Sequence, residues 1–172
     1  MDWKSEIEEA ISDFVAAAGL ARTDINRDDF DVEYLEAPHR PPSRLPKGKM
    51  AVYGFWHDGK WLKIGKSGPK SNARYASQHY SPGSSRSNLA RSLMKDYPAS
   101  ETPDFSSNSV GDWIRNNTNR VNIILDAKHG PLLLSFLEAF LHLRLRSKLE
   151  KQVVMKRQDN NEGSSLFSMG NT

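Results

Sequence analysis

Met50-Ala-Val-Tyr-Gly-Phe-Trp56, His57-Asp-Gly-Lys60 and Trp61-Leu-Lys-Ile-Gly65 make up the stretch that decides the fold. The first part is rich in β-branched and aromatic residues. The second is an Asp-Gly hairpin turn, and the third returns as a second strand. Strict alternation puts Ala51, Tyr53 and Phe55 on one face and Val52, Gly54 and Trp56 on the other. On the return strand Trp61, Lys63 and Gly65 share one face, with Leu62 and Ile64 on the other. Tyr53 and Lys63 lie five residues either side of Asp58, so the pattern predicts them near-opposite and projecting to the same side.

Working outward, residues 2–18 have Trp3, Ile7, Ile11, Phe14 and Val15 at helical spacing with acidic residues between them, and Gly19 at the expected cap. Residues 21–49 are Asp-rich, then carry Pro38, Pro41, Pro42 and Pro46, which predicts an extended connector. After the hairpin, Lys66 to Lys70 forms a Gly/Pro loop. Short helices are expected from Ser71 or Asn72 to about Tyr80, from Ser87 to Lys95, and from Ser109 to about Asn117. Arg120 to Leu125 predicts a third strand, and Pro131 opens a long helix reaching about Glu150.

The fold class expected is therefore α/β (α+β). A short three-stranded, mainly antiparallel sheet is flanked by helices and carries an N-terminal helical extension. The divisions expected are 1–48 (helix and Pro-rich connector), 49–151 (the α/β domain) and 152–172 (a polar tail).

Composition removes several classes. With no Cys among 172 residues there is no disulfide scaffold, thiolate zinc site, iron–sulfur cluster or Cys nucleophile. No apolar run approaches the ~18 residues of a membrane span, and residues 1–6 do not read as a secretory signal, so a soluble, cytoplasmic protein is expected. No phosphate-binding Gly-rich loop of the usual spacing occurs. The net charge of +3 conceals an asymmetry. Residues 1–38 carry three cations and eleven anions, a net of −8, which leaves +11 on the remainder. A basic body favours polyanions, nucleic acid first. An ordinary solvated surface is the alternative on charge alone.

Two places break the local rules. Residues 132–145 are apolar nearly all round, yet Glu138 sits in their middle, with His142 one turn on. A carboxylate taken out of water must be paired, for instance with Arg144, Arg74 or an N-terminal cation, or must bind a metal. The second place is the hairpin and its sequel. Tyr53, Lys63, Lys66, Arg74, Gln78 and His79 gather near one sheet edge, where they can bind and polarise a phosphodiester. A Tyr–Lys cross-strand pair on a solvated face is the ordinary alternative.

Ala51-Val52-Tyr53, Lys63-Ile64-Gly65, Arg74 and Glu138, in that order and on those elements, resemble the GIY-YIG nuclease superfamily over roughly residues 50–150. Ala51 and Val52 stand where that family has Gly and Ile. Lys63 stands where most members have Tyr, which is similar to its restriction-endonuclease branch. The family's His or Tyr one turn after the Arg falls on Gln78, with His79 next, and twelve positions past Glu138 is Glu150 rather than the frequent Asn.

The resemblance implies a metal-dependent DNA endonuclease, of restriction or anti-phage type. Glu138 would hold one Mg²⁺ (or Mn²⁺) together with the phosphate and water. Tyr53 would act as general base or water-orienting group, with Lys63 or Lys66 stabilising its phenolate by proximity of positive charge. Arg74 would clamp the phosphate, and Gln78 or His79 would assist. Lys70, Asn72, Arg86, Asn88 and Arg91 follow the site and are candidate DNA contacts. Other readings are a structure-specific, repair or single-strand nuclease, a catalytically inactive nucleic-acid-binding module, and a structural or interaction protein. Symmetric cutting of a duplex would favour a homodimer, and the acidic helix at 2–18 is the candidate for dimerisation or wrapping.

Overall fold

The computed structural model describes residues 2–85, 88–96 and 109–146. Helix α1 (Trp3–Leu20) comes first, followed by strand β1 (Phe30–Leu35). Strands β2 (Lys49–His57) and β3 (Lys60–Ser67) form the hairpin. Helices α2 (Asn72–Ala76), α3 (Leu89–Asp96) and α4 (Val110–Asn117) lead to β4 (Asn119–Asp126) and α5 (Gly130–Leu145). The described residues thus form a mixed α/β fold around an open four-stranded sheet of order β1-β4-β2-β3, antiparallel throughout.

The fourth strand corrects the three-strand expectation. Phe30-Asp-Val-Glu-Tyr-Leu35 pairs with β4 along its whole length. Phe30, Val32 and Tyr34 face the core, while Glu33 on the opposite side accepts hydrogen bonds from Asn122 Nδ2 (2.6 Å) and the Tyr75 hydroxyl (3.2 Å). The acidic N-terminal segment is consequently built into the sheet and core. Trp3, Ile7, Ala10, Ile11, Phe14 and Ala18 of α1 are buried against α5 and the sheet, an i, i+4, i+7, i+8, i+11, i+15 stripe. Gly19 lies inside α1. The left-handed residue that ends the turn is Arg22, at φ 55°.

Three layers result. Helices α1 and α5 cover the sheet face that carries Met50, Val52, Ile64, Val121, Ile123 and Leu125. Helices α3 and α4 cover the other face over Tyr53, Phe55 and Leu62, and Tyr75 of α2 packs there on Ala51 and Ile124. The Pro-rich segment is clamped across this second layer. His39 is buried, its ring bonded to Thr118 O and the Tyr80 hydroxyl at 2.8 Å each, and Leu45 N–H donates to Asn72 Oδ1 at 2.9 Å.

The hairpin turn forms as Asp-Gly chemistry demands, with Asp58 at φ 44° and Gly59 at φ 73°. Its register differs from strict alternation. Trp56 pairs with Trp61, but Phe55 pairs with Lys63 and Tyr53 with Gly65, so Leu62 is an extra residue. This bulge puts Leu62 in the Phe55 cluster and Trp61 with Val52 and Ile64, the reverse of the expected assignment for that pair. Tyr53 and Lys63 remain on one side, diagonal rather than opposed.

The long helix departs from expectation too. Although α5 is apolar nearly all round, Leu132 and Leu143 are about four-fifths exposed at 82% and 80%. The stretch from 147 onward, including the polar tail, lies outside the described residues. No described helix is long and apolar enough to cross a membrane.

Candidate active site

Strand β3 is an edge of the sheet, and a cleft of about 80 Å³ opens beside it, lined by Tyr53, Lys63, Ile64, Gly65, Lys66, Arg74 and Glu138. Side chains arrive there from both faces. Tyr53 and Lys63 come from the α2–α4 side, and Arg74 reaches in from α2. The residues on the other side of the bulge alternate normally, so Lys66 shares the Val52–Ile64 face and meets α5, which carries Glu138.

Gly65 makes the convergence possible. A Cβ there would lie 2.6 Å from the Tyr53 hydroxyl oxygen and 2.9 Å from ring carbons Cε2 and Cζ. The Tyr53 ring therefore crosses over Gly65, and its hydroxyl extends to the strand edge. Behind it the ring is held by His79 (centroids 4.7 Å), Phe55 (6.3 Å) and the Arg120 guanidinium (5.5 Å). The partner glycine, Gly54, serves the opposite face, where Trp61 occupies the space a Cβ would need.

Arg120 is fully buried, a feature that escaped the sequence reading. It donates to Asn122 Oδ1 (2.8 Å), the Tyr80 hydroxyl (3.2 Å) and Tyr75 O (2.6 Å), and stacks among the rings of Tyr53, Phe55 and Tyr75. The alternating apolar pattern of β4 concealed it, because a single cation in a strand gives no periodic signal.

Glu138 is at the cleft wall with its side chain 23% exposed, so it is neither sealed from water nor fully solvated. Its ionic partner is Lys66, Nζ to Oε2 at 2.8 Å, and Lys66 Nζ also donates to Ser135 Oγ at 2.9 Å. The partners anticipated from sequence are used differently. Arg144 binds Asp13 and Glu9 of α1, which ties α5 to α1. His142 is half-buried one turn on and does not line the cleft.

Neither Gln78 nor His79 lines the cleft. His79 is buried, and burial, then the charges of Arg120, Lys63 and Arg74, hold its pKa well below the ordinary imidazole value. Its Nδ1 accepts from Leu89 N–H (3.2 Å), which assigns the proton to Nε2, an atom with no partner among the described residues. His79 is thus a neutral support for the Tyr53 ring. Gln78, half-buried, opens the 3₁₀ turn that carries His79.

The candidate nucleic-acid contacts separate into two groups. Lys70, in the loop before α2, and Arg91, on α3, are exposed. Asn72 is exposed but uses its carbonyl on the Leu45 N–H. Asn88 is buried. Its amide donates to Pro82 O (3.2 Å) and Ser85 O (2.8 Å), and its Oδ1 caps α3 through Arg91 N–H (2.8 Å). It holds a loop and presents nothing to a ligand. Arg86 lies outside the described residues.

Among the described residues no three His, Cys, Asp or Glu side chains come together to hold a metal ion. One carboxylate bordering an open cleft suits a hard divalent cation held mainly by water and substrate oxygens, not one enclosed by protein ligands. Compared with protein-family models, curated proteins and solved structures, the chain has no match in any of the three.

Proposed function

We propose that the β3-edge cleft is the active site of a metal-dependent endonuclease that hydrolyses DNA phosphodiester bonds, in the manner of the restriction-type GIY-YIG enzymes its motifs resemble. The observation that carries this reading is the convergence of Tyr53, Lys63, Lys66, Arg74 and Glu138 on one cleft from four different elements. Three cations against one carboxylate make that cleft a place for an anion.

Each side chain has a task that its geometry supports. The Arg74 guanidinium offers paired donors to the non-bridging oxygens of a phosphodiester. The Tyr53 hydroxyl, delivered over Gly65 and braced from behind, orients the attacking water or takes its proton. Lys63, on the same side of the sheet, stabilises the phenolate that proton transfer would leave. Glu138 would hold a Mg²⁺ or Mn²⁺ ion, which when bound neutralises the charge developing on the phosphate and the leaving oxygen. The exposed cations Lys70 and Arg91 would track the backbone without reading sequence.

The test is a panel of substrates: plasmid, single-stranded DNA and RNA, each with Mg²⁺ and with EDTA. Discrete plasmid fragments that vanish with EDTA support the restriction-type reading. Cutting confined to single strands transfers the site to a repair or single-strand nuclease. Salt-sensitive binding without cutting leaves an inactive nucleic-acid-binding module.

A further inference from the structure

The Lys66 ammonium is held by two groups one helical turn apart on α5. One is Glu138 Oε2 at 2.8 Å and the other is Ser135 Oγ at 2.9 Å, whose own proton goes to Pro131 O at 2.9 Å. It therefore occupies one of the two carboxylate oxygens through which Glu138 would hold a cation. We propose that Lys66 is a built-in counterion that competes with a divalent cation for Glu138, so that the cleft takes its metal more readily together with nucleic acid than before it. This rests on the endonuclease reading above.

The charges of the cleft support it. Lys63, Lys66 and Arg74 against Glu138 give a net of +2 without ligand, so a divalent ion alone would raise it to +4 within one small space. A phosphodiester lowers the repulsion and offers Lys66 new acceptor oxygens. The ammonium then exchanges a carboxylate oxygen for a phosphate oxygen, and Glu138 becomes free for the metal. Metal and DNA would each raise the affinity for the other, as linkage requires. Premature metal binding, and with it misplaced water activation, would be suppressed.

The experiment titrates Mn²⁺ into the DNA-free protein at low ionic strength and follows the free-ion electron paramagnetic resonance signal. Lys66→Met should tighten Mn²⁺ binding about fivefold, the effect of losing a partly exposed ion pair. Ser135→Ala loosens the hold on Lys66 without changing any charge and should tighten binding in the same direction, by about twofold. Lys70→Met, an exposed cation outside the cleft, should have a smaller effect than either. In a Tyr53→Phe background, a DNA duplex should raise Mn²⁺ affinity, and adding Lys66→Met should reduce that linkage. Equal tightening by Lys70→Met and Lys66→Met, or no tightening by Lys66→Met and Ser135→Ala in variants that keep the wild-type urea midpoint, overturns the inference. Loss of binding in Glu138→Gln accompanying that second result leaves the metal reading intact. Unchanged binding in Glu138→Gln defeats the metal reading itself.

Discussion

Replacing Gly65 by Ala tests the geometry of the cleft with one methyl group. The added Cβ would sit 2.6 Å from the Tyr53 hydroxyl oxygen, and reaching ordinary contact at 3.4 Å requires a displacement of about 0.8 Å. The ring has little room to retreat, because His79 lies behind it at 4.7 Å and is itself buried. Either Tyr53 tilts away from the cleft or β3 shifts outward. Overpacking of this kind costs about 1–3 kcal/mol. Misplacing a reacting group by about 1 Å costs on the order of a hundredfold in rate. Urea melts of Gly65→Ala should therefore show a loss of about 1–3 kcal/mol, and single-turnover cleavage should fall about a hundredfold with DNA affinity little changed. The Gly65→Ala change should cost less stability in a Tyr53→Phe background, because the atom in closest contact is then gone. A Gly65→Ala protein within 0.5 kcal/mol and twofold of wild type would refute the placement of Tyr53 over Gly65.

Further predictions concern the surroundings of the cleft. Asn88→Ala should cost about 2–3 kcal/mol in urea melts, from the lost α3 cap and the stranded Pro82 and Ser85 carbonyls, and leave duplex binding within about twofold. His79 is held neutral by burial, so the unfolded chain binds more protons below about pH 6.5. Stability should fall by about 1 kcal/mol from this group between pH 6.5 and 5.5, and His79→Gln should flatten that dependence in pH-resolved melts. A chain beginning at Lys49 loses Trp3, Ile7, Ile11 and Phe14, each worth about 1.5–3 kcal/mol when buried, against a whole-domain stability of about 5–15 kcal/mol. It should show no cooperative thermal transition by circular dichroism, and a sharp transition would mean that α1 and β1 are dispensable.

The parts legible in the sequence were those governed by local chemistry. Asp58-Gly59 dictated the hairpin, and Pro131 and the apolar run after it dictated α5. Residues 30–35 do alternate apolar and acidic, a strand signal hidden between an Asp-rich run and four prolines. The hairpin register was not legible, because a one-residue bulge at Leu62 leaves no mark on composition yet moves every pairing beyond it. That bulge also fixes which residues face α5, and so why Lys66 meets Glu138. The candidate site was legible as a set of residue types in order. Its division of labour was not: His79 and Asn88 look like surface polar residues in sequence and are buried supports in the fold. The acidic excess of residues 1–38 likewise does not form a detached arm. Glu8 binds Arg27 and the Tyr34 hydroxyl, Glu6 accepts from the Trp61 indole, and Asp13 binds Arg144.

The most direct test of the central claim compares cleavage and binding in the same samples. Wild type and Glu138→Gln would be mixed with plasmid DNA and Mg²⁺, with binding followed in parallel by fluorescence anisotropy of a labelled duplex. The account predicts that wild type cuts, that EDTA stops it, and that Glu138→Gln still binds the duplex while cutting at least a hundredfold more slowly. Cutting by Glu138→Gln at the wild-type rate would contradict it.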